Sequence, residues 1–283
     1  MQGILTGHDL ANWLSMLRST DRRTFVIVEG PTDAQALDPH INEALAVTFP
    51  AHGKDKADEA INLLEARSFG RVLAVLDRDW VGMLDQPSAA ANVVYTDDYD
   101  LDSTVFFSGS VLERVVTAHS DRDSRHAHLA QCGSSTVEAI VIRLAGPIGL
   151  VRYFSDRHGH GVNCQRFPVH AAMTASKDEL DIPLLARITI SRSGDAKVTA
   201  AVVERHVQTE MANRPALRDF SCGHDVATAV AALLRHWGTS MSPDAVEAAA
   251  RAAFSCADLK TTALHQRVSA WSNAHAAPIW ACT

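Results

Sequence analysis

A chain of 283 residues, 47% hydrophobic and 21% charged, is long enough to bury a sizeable core in one large domain or two smaller ones. That balance excludes a disordered tail, and no apolar run reaches the ~18 to 20 residues that a membrane-spanning helix needs. Net charge is −7, yet residues 1–110 hold 8 Lys and Arg against 17 Asp and Glu, so the acidic excess belongs wholly to the N-terminal part.

Residues 4–18 place Ile4, Leu5, Leu10, Trp13, Leu14 and Leu17 near helical spacing, with Thr6 or Asp9 as cap. Asp9 and Arg18 interrupt this segment, which argues against a signal peptide. Thr24-Phe-Val-Ile-Val28 reads as a buried strand stopping at Glu29-Gly30-Pro31, and Thr32-Asp33 opens a helix in which Asp33 favours the N-terminal dipole. A second strand is expected at 46–49, a turn at Gly53-Lys54, and an amphipathic helix over 55–67. Arg71-Val-Leu-Ala-Val-Leu76 is the clearest strand and ends in Asp77-Arg78-Asp79; 92–96 is another, ending in Asp97-Asp98-Tyr99-Asp100-Leu101-Asp102. Short apolar strands alternating with helices predict an α/β fold, a parallel sheet flanked by helices.

The pattern changes after residue 110. Helices are expected at 111–118 and 136–145, the second broken by Gly146-Pro147, and a hairpin near 185–203 around Ser193-Gly194-Asp195. The C-terminal third reads as helical over 225–237, from Ser242-Pro243 onward, and over about 257–273. The expected organisation is an N-terminal helix (1–23), a sheet domain (24–108) and a mainly helical C-terminal region (109–283). Trp13, Trp237 and Trp271 sit at apolar helical positions and read as core. Five cysteines, odd in number and without a Cys-x-x-Cys pair, fit free thiols in a reducing cytoplasm. His126, His128 and Cys132, or His158, His160 and Cys164, match no zinc spacing and read as loop residues.

Three strands end in acids, and in parallel sheets functional groups gather beyond the carboxyl ends of strands. Asp77 and Asp79, two apart on an extended segment, would point to one side and offer hard oxygen ligands to one divalent cation. Glu29 would face the same cleft if its strand is a neighbour. The competing reading is turn and cap chemistry, which also favours Asp.

Phe25-Val-Ile-Val-Glu29-Gly30 followed by Val75-Leu-Asp77-Arg-Asp79-Trp-Val-Gly82 resembles the signature of the TOPRIM (topoisomerase-primase) superfamily over about residues 24–108. The flanking text, Val28-Glu-Gly-Pro-Thr-Asp33-Ala, Gly53-Lys54 and Tyr95-Thr-Asp-Asp-Tyr-Asp100-Leu-Asp102, is similar to a branch long classed as a domain of unknown function. That branch includes the nuclease subunit of PARIS-type anti-phage systems. Its last acid after the fourth strand is Glu where this chain has Asp102, and Gly223-His224-Asp225 resembles a Gly-Lys-Asp-like element of it.

The resemblance implies a TOPRIM-like sheet and Mg²⁺-dependent (or Mn²⁺-dependent) hydrolysis of phosphodiester bonds in DNA or RNA, tRNA included. It assigns catalysis to Glu29, Asp77 and Asp79, metal binding to these with Asp100 and Asp102, and phosphate contact to Lys54 and Arg78. It also implies a cytoplasmic defence effector working with a separate ABC-type ATPase, its helical part available for a partner or a homodimer. No Gly-x-x-x-x-Gly-Lys-Ser/Thr loop occurs, so ATP hydrolysis of the P-loop kind would belong to another polypeptide. The alternative is a non-catalytic TOPRIM-like interaction module regulated by a partner. A HAD-type phosphatase leaves Glu29-Gly30 unexplained, and topoisomerase activity lacks a convincing tyrosine among Tyr95, Tyr99 and Tyr153.

Overall fold

Residues 25–28 and 72–76 are apolar at consecutive positions, which leaves these strands no polar face to turn to water. In the computed structural model, which describes residues 6–213 and 215–282, both are buried along their whole length. They form the centre of a four-stranded, all-parallel sheet of β1 (Thr24–Val28), β2 (Ala46–Pro50), β3 (Val72–Leu76) and β4 (Val93–Tyr95), in the order β2-β1-β3-β4. The edge strands β2 and β4 are only partly buried. The α/β fold expected from the alternation is the fold observed.

Parallel strands need crossovers: helices supply those from β1 to β2 and from β2 to β3, and residues 77–92 connect β3 to β4 without one. α1 (Gly7–Leu17) opens on a capping box between Thr6 and Asp9. Ile4 and Leu5, part of the expected helix, lie outside the described residues. α2 (Pro31–Leu37) follows β1, α3 (Lys54–Ala66) follows β2, and α4 (Leu101–Phe107) follows β4, so three helices begin at the carboxyl ends of strands. One face of α3, Ala57, Ala60, Ile61 and Leu64, packs with Leu10, Ala11 and Leu14 of α1 over Phe25, Ile27, Val72 and Ala74. Trp13, expected in the core, is 40% exposed and meets Phe49 edge-on, because the buried stripe of α1 runs through Leu10 and Leu14 instead.

The chain then builds a second compact unit, Val105–Ala253, entirely of helices among its described residues. These are α5 (Val111–His119), α6 (Arg122–Gln131), α7 (Val137–His158), α8 (Val169–Ala172), α9 (Ile182–Ser191), α10 (Ala200–Ala212), α11 (Gly223–His236) and α12 (Pro243–Ala253). Two expectations fail here. α7 does not break at Gly146-Pro147 but runs through 22 residues. Its buried positions, among them Ile140, Val141, Leu144, Ile148 and Val151, outweigh the ~3 kcal/mol cost of an internal proline. Gly146 and Gly149 let residues 217–220 lie directly on the helix, where a Cβ on Gly149 would overlap the Phe220 carbonyl. The hairpin expected near 185–203 is also absent: α9 and α10 occupy that stretch. Leu185, Ala186 and Thr189 of α9 are buried at helical spacing, Asp181 caps its start, and Ser193-Gly194-Asp195 lies between the two helices.

From Phe254 the chain returns to the sheet unit, which otherwise ends at Thr104. α13 (Cys256–Leu259) and α14 (Ala263–Ala274) belong to it, so residues 109–283 are not one region. The reason is long-range pairing invisible in the local pattern. Trp271 Nε1 donates to Asn92 Oδ1 at 2.7 Å, and Arg267 donates to the Tyr95 carbonyl and to Asp97, each at 2.7 Å. Trp271 and Trp237 are buried, as expected. No helix among the described residues is long and apolar enough to cross a membrane.

Candidate active site at the sheet rim

β1 and β3 are neighbours, with Val28 opposite Val75, so the residues that follow them leave the sheet side by side. Glu29 Oε1 accepts the Asp77 backbone N–H at 2.8 Å. Asp77 Oδ1 in turn accepts the N–H of Leu101, the first residue of α4, at 2.9 Å. Lys54, the first residue of α3, reaches across from β2: its Nζ donates to the Asp77 carbonyl at 2.7 Å and to Asp79 Oδ2 at 2.6 Å. Gly53 makes that reach available. Its φ of 138° is a conformation that suits glycine, and its N–H donates to the Glu29 carbonyl at 2.9 Å. Three strand ends and two helix starts thus converge on one rim.

Asp77 and Asp79 do not share a side through strand alternation, because β3 stops at Leu76 and Asp79 is left-handed, with φ 45°. The turn is held by Asp79 N–H on the Tyr99 carbonyl (2.7 Å) and Arg78 N–H on Thr96 Oγ1 (2.9 Å). Asp100 caps α4 by exchanging hydrogen bonds with Ser103, and its charge acts on Asp77. Asp102 occupies the first turn of α4. Asp33 accepts the Gly30 N–H at 2.7 Å as the box residue of α2, the role expected for it, and adds its charge to the rim. Arg78 lines an adjoining cavity of about 500 Å³ with Tyr95, Thr96, Asp97 and Arg267.

The electrostatics follow from packing acids beneath a sheet rim. Burial pushes the Glu29 carboxyl up to about 7; the Asp77 N–H and Lys54 pull it down, while Asp79 and Asp33 raise it. Asp77 is raised well above the ordinary carboxylate range, first by burial and then by Asp100, Glu29, Asp33 and Asp79.

No family model matches the chain, and no curated protein matches it.

Two groups of three donor side chains lie within 4.8 Å of one another among the described residues, and neither includes a rim acid. One is His40, Cys256 and Cys282 in the sheet unit. The other is His224, Asp244 and Glu247 in the helical unit, beside a cavity of about 410 Å³ lined also by Arg166, His170 and Arg235. His224 Nδ1 sits 2.8 Å from Glu247 Oε1, and that hydrogen bond raises the imidazole above its usual range. Asp225, its neighbour in the Gly-His-Asp stretch, is buried on Arg152. Sequence reading missed both groups because their members lie tens to hundreds of residues apart. The histidines first considered for zinc have other partners: His128 lies between the Ser176 carbonyl and Trp237 Nε1, and His158 and His160 stack beside Phe154. Cys256 and Cys282 are joined in a disulfide, so only Cys132, Cys164 and Cys222 are free thiols, against the expectation of five.

Proposed function

We propose that the sheet rim is the active centre of a Mg²⁺-dependent nuclease, the activity implied by the resemblance to the TOPRIM superfamily. The observation that supports this reading is the contact between Glu29 and Asp77, acids that follow neighbouring strands: the Glu29 carboxylate accepts the Asp77 backbone N–H, while burial and neighbouring acids raise both carboxyls. Their donor chemistry fits the metal: buried carboxylate oxygens whose charge is disfavoured where they sit are hard ligands that a divalent cation stabilises. Glu29, Asp77 and Asp79 would hold Mg²⁺ or Mn²⁺, with Asp100 or Asp102 completing the set. When bound, the ion would polarise the scissile phosphate.

The chain's own groups do the remaining work. Glu29 either joins the metal ligands or, left outside that shell with its carboxyl raised by burial to about 7, takes a proton from an attacking water or returns it to a leaving oxygen. Lys54 brings a positive charge onto Asp79 and suits contact with a phosphate oxygen. Arg78 and Arg267, on the adjoining cavity, suit the flanking backbone of a DNA or RNA strand. The setting we propose is a cytoplasmic effector of anti-phage defence that acts with a separate ABC-type ATPase, its helical unit available for a partner or a second copy.

The test is cleavage of DNA, RNA and tRNA in Mg²⁺, Mn²⁺ or chelator by wild type, Glu29→Gln and Asp77→Asn. We expect metal-dependent cleavage, lowered roughly 10²-fold or more in each variant. Equal cleavage by all three proteins refutes the assigned site. One observation favours a second reading, a partner-regulated interaction module without catalysis: Lys54 already closes on Asp79. Metal-independent partner binding, with no cleavage even when the ATPase and ATP are supplied, would decide for it.

A further inference from the structure

His40 ends the short 3₁₀ turn Asp38–His40 that follows α2, Cys256 is the first residue of α13, and Cys282 lies beyond α14. Backbone pairing brings them together: Asn42 N–H donates to the Ile279 carbonyl at 2.8 Å, and Ala281 N–H to the His40 carbonyl at 2.8 Å. His40 Nδ1 is 3.7 Å from Cys256 Sγ and 3.5 Å from Cys282 Sγ. These are the separations a tetrahedral metal imposes. Zinc bonds of about 2.3 Å to sulfur and about 2.0–2.1 Å to nitrogen, at the tetrahedral angle, set nitrogen and sulfur about 3.6 Å apart. Two edges of a zinc-sized tetrahedron are thus already in place, and the third, between the sulfurs, is the edge that reduction frees. Only 3% of His40 is exposed, Phe254 packs edge-on against its ring at 5.0 Å, and its Nε2 has no hydrogen-bond partner among the described residues. Burial lowers the imidazole's pKa and keeps it neutral, the form that ligates metal.

We propose that His40, Cys256 and Cys282 form a Zn²⁺ site when the cysteine pair is reduced, so that the C-terminal segment is fastened by a disulfide under oxidising conditions and by zinc under reducing ones. The exchange balances. A dithiol reductant gives two electrons and two protons to the disulfide, becoming a disulfide itself, and the two protons then leave the cysteine thiols as zinc binds. A cysteine pair that sequence reading places in a reducing compartment thereby keeps a structural role there. The site is independent of the rim acids.

The test uses the full chain, reduced with a dithiol, freed of it without oxygen and loaded with Co²⁺ or Zn²⁺. Co²⁺ should produce thiolate-to-metal charge-transfer absorption in wild type, Asp77→Asn and His224→Asn, and lose it in Cys256→Ser and Cys282→Ser. Retention in Asp77→Asn separates this site from the rim, and the thiolate band excludes the His224 group. Because a serine variant could fail to fold, alkylation of wild type followed by peptide mapping provides the second reading. Zn²⁺ should slow modification of Cys256 and Cys282 roughly tenfold or more relative to metal-free reduced protein. Absence of the band in folded, reduced wild type, its survival in both serine variants, or no protection by Zn²⁺ would each overturn the proposal.

Discussion

Replacing Glu29 by Gln keeps the shape of the side chain and the oxygen that accepts the Asp77 N–H, and removes only the titrating charge. In the folded chain burial lifts this carboxyl from 4.5 to about 7. An acid that holds its proton more tightly when folded contributes stability that is complete below its unfolded pKa and falls as pH rises toward its folded pKa. The window is therefore about pH 4.5 to 7, and moving one carboxyl across it corresponds to a loss of order 3 kcal/mol at 1.36 kcal/mol per pH unit. Urea unfolding in chelator, from pH 4.5 to 8, should show wild type losing stability across this window more steeply than Glu29→Gln. The variant should be the more stable protein at pH 8, by about 1 to 3 kcal/mol. Mg²⁺ at pH 8 should recover much of the deficit in wild type and little in the variant. Parallel profiles for the two proteins would refute the claim that burial and repulsion hold Glu29 in its raised state.

Lys54→Met removes a positive charge that lowers the Glu29 pKa, so the upper end of the Glu29 window should move above pH 7 in the same unfolding series while its lower end stays in place. Arg152→Met leaves the Asp225 carboxylate, 1% exposed, without its ion-pair partner; urea unfolding should show a loss of about 3–5 kcal/mol, relieved in part by Asp225→Asn. Gly149→Ala drives a methyl into the Phe220 carbonyl and should cost about 1–3 kcal/mol, read as a lower urea midpoint with an unchanged slope.

The sheet was legible because its information is local. Short apolar runs at 25–28 and 72–76, ending in acids, suit central parallel strands, and the pairing of β1 with β3 puts Glu29 beside Asp77. The neighbourhood of Glu29, Asp77, Asp79 and Lys54 was therefore within reach of sequence reading, but its wiring was not. Lys54 serves the acids themselves in this structure, Asp100 is also a helix cap, and Asp79 joins through a left-handed turn. In the helical unit, local chemistry misled. Gly146-Pro147 is a strong breaker on propensity, and the β-branched residues around 188–203 suit a strand, yet tertiary burial decides both. The His40–Cys256–Cys282 group spans more than two hundred residues, and no spacing rule reaches that far.

The sheet unit is sewn from two stretches of chain, with Val105–Ala253 emerging between them during synthesis. Helical contacts within that middle stretch can be made as soon as it has been translated, whereas α14 cannot cover the β4 edge until residues 263–274 exist. For that interval β4 is a bare strand margin open to pairing with another nascent chain. Yield of monomeric protein should therefore respond to chaperones and growth temperature through the sheet unit, and substitutions at Arg267 or Trp271 should show up first as aggregation.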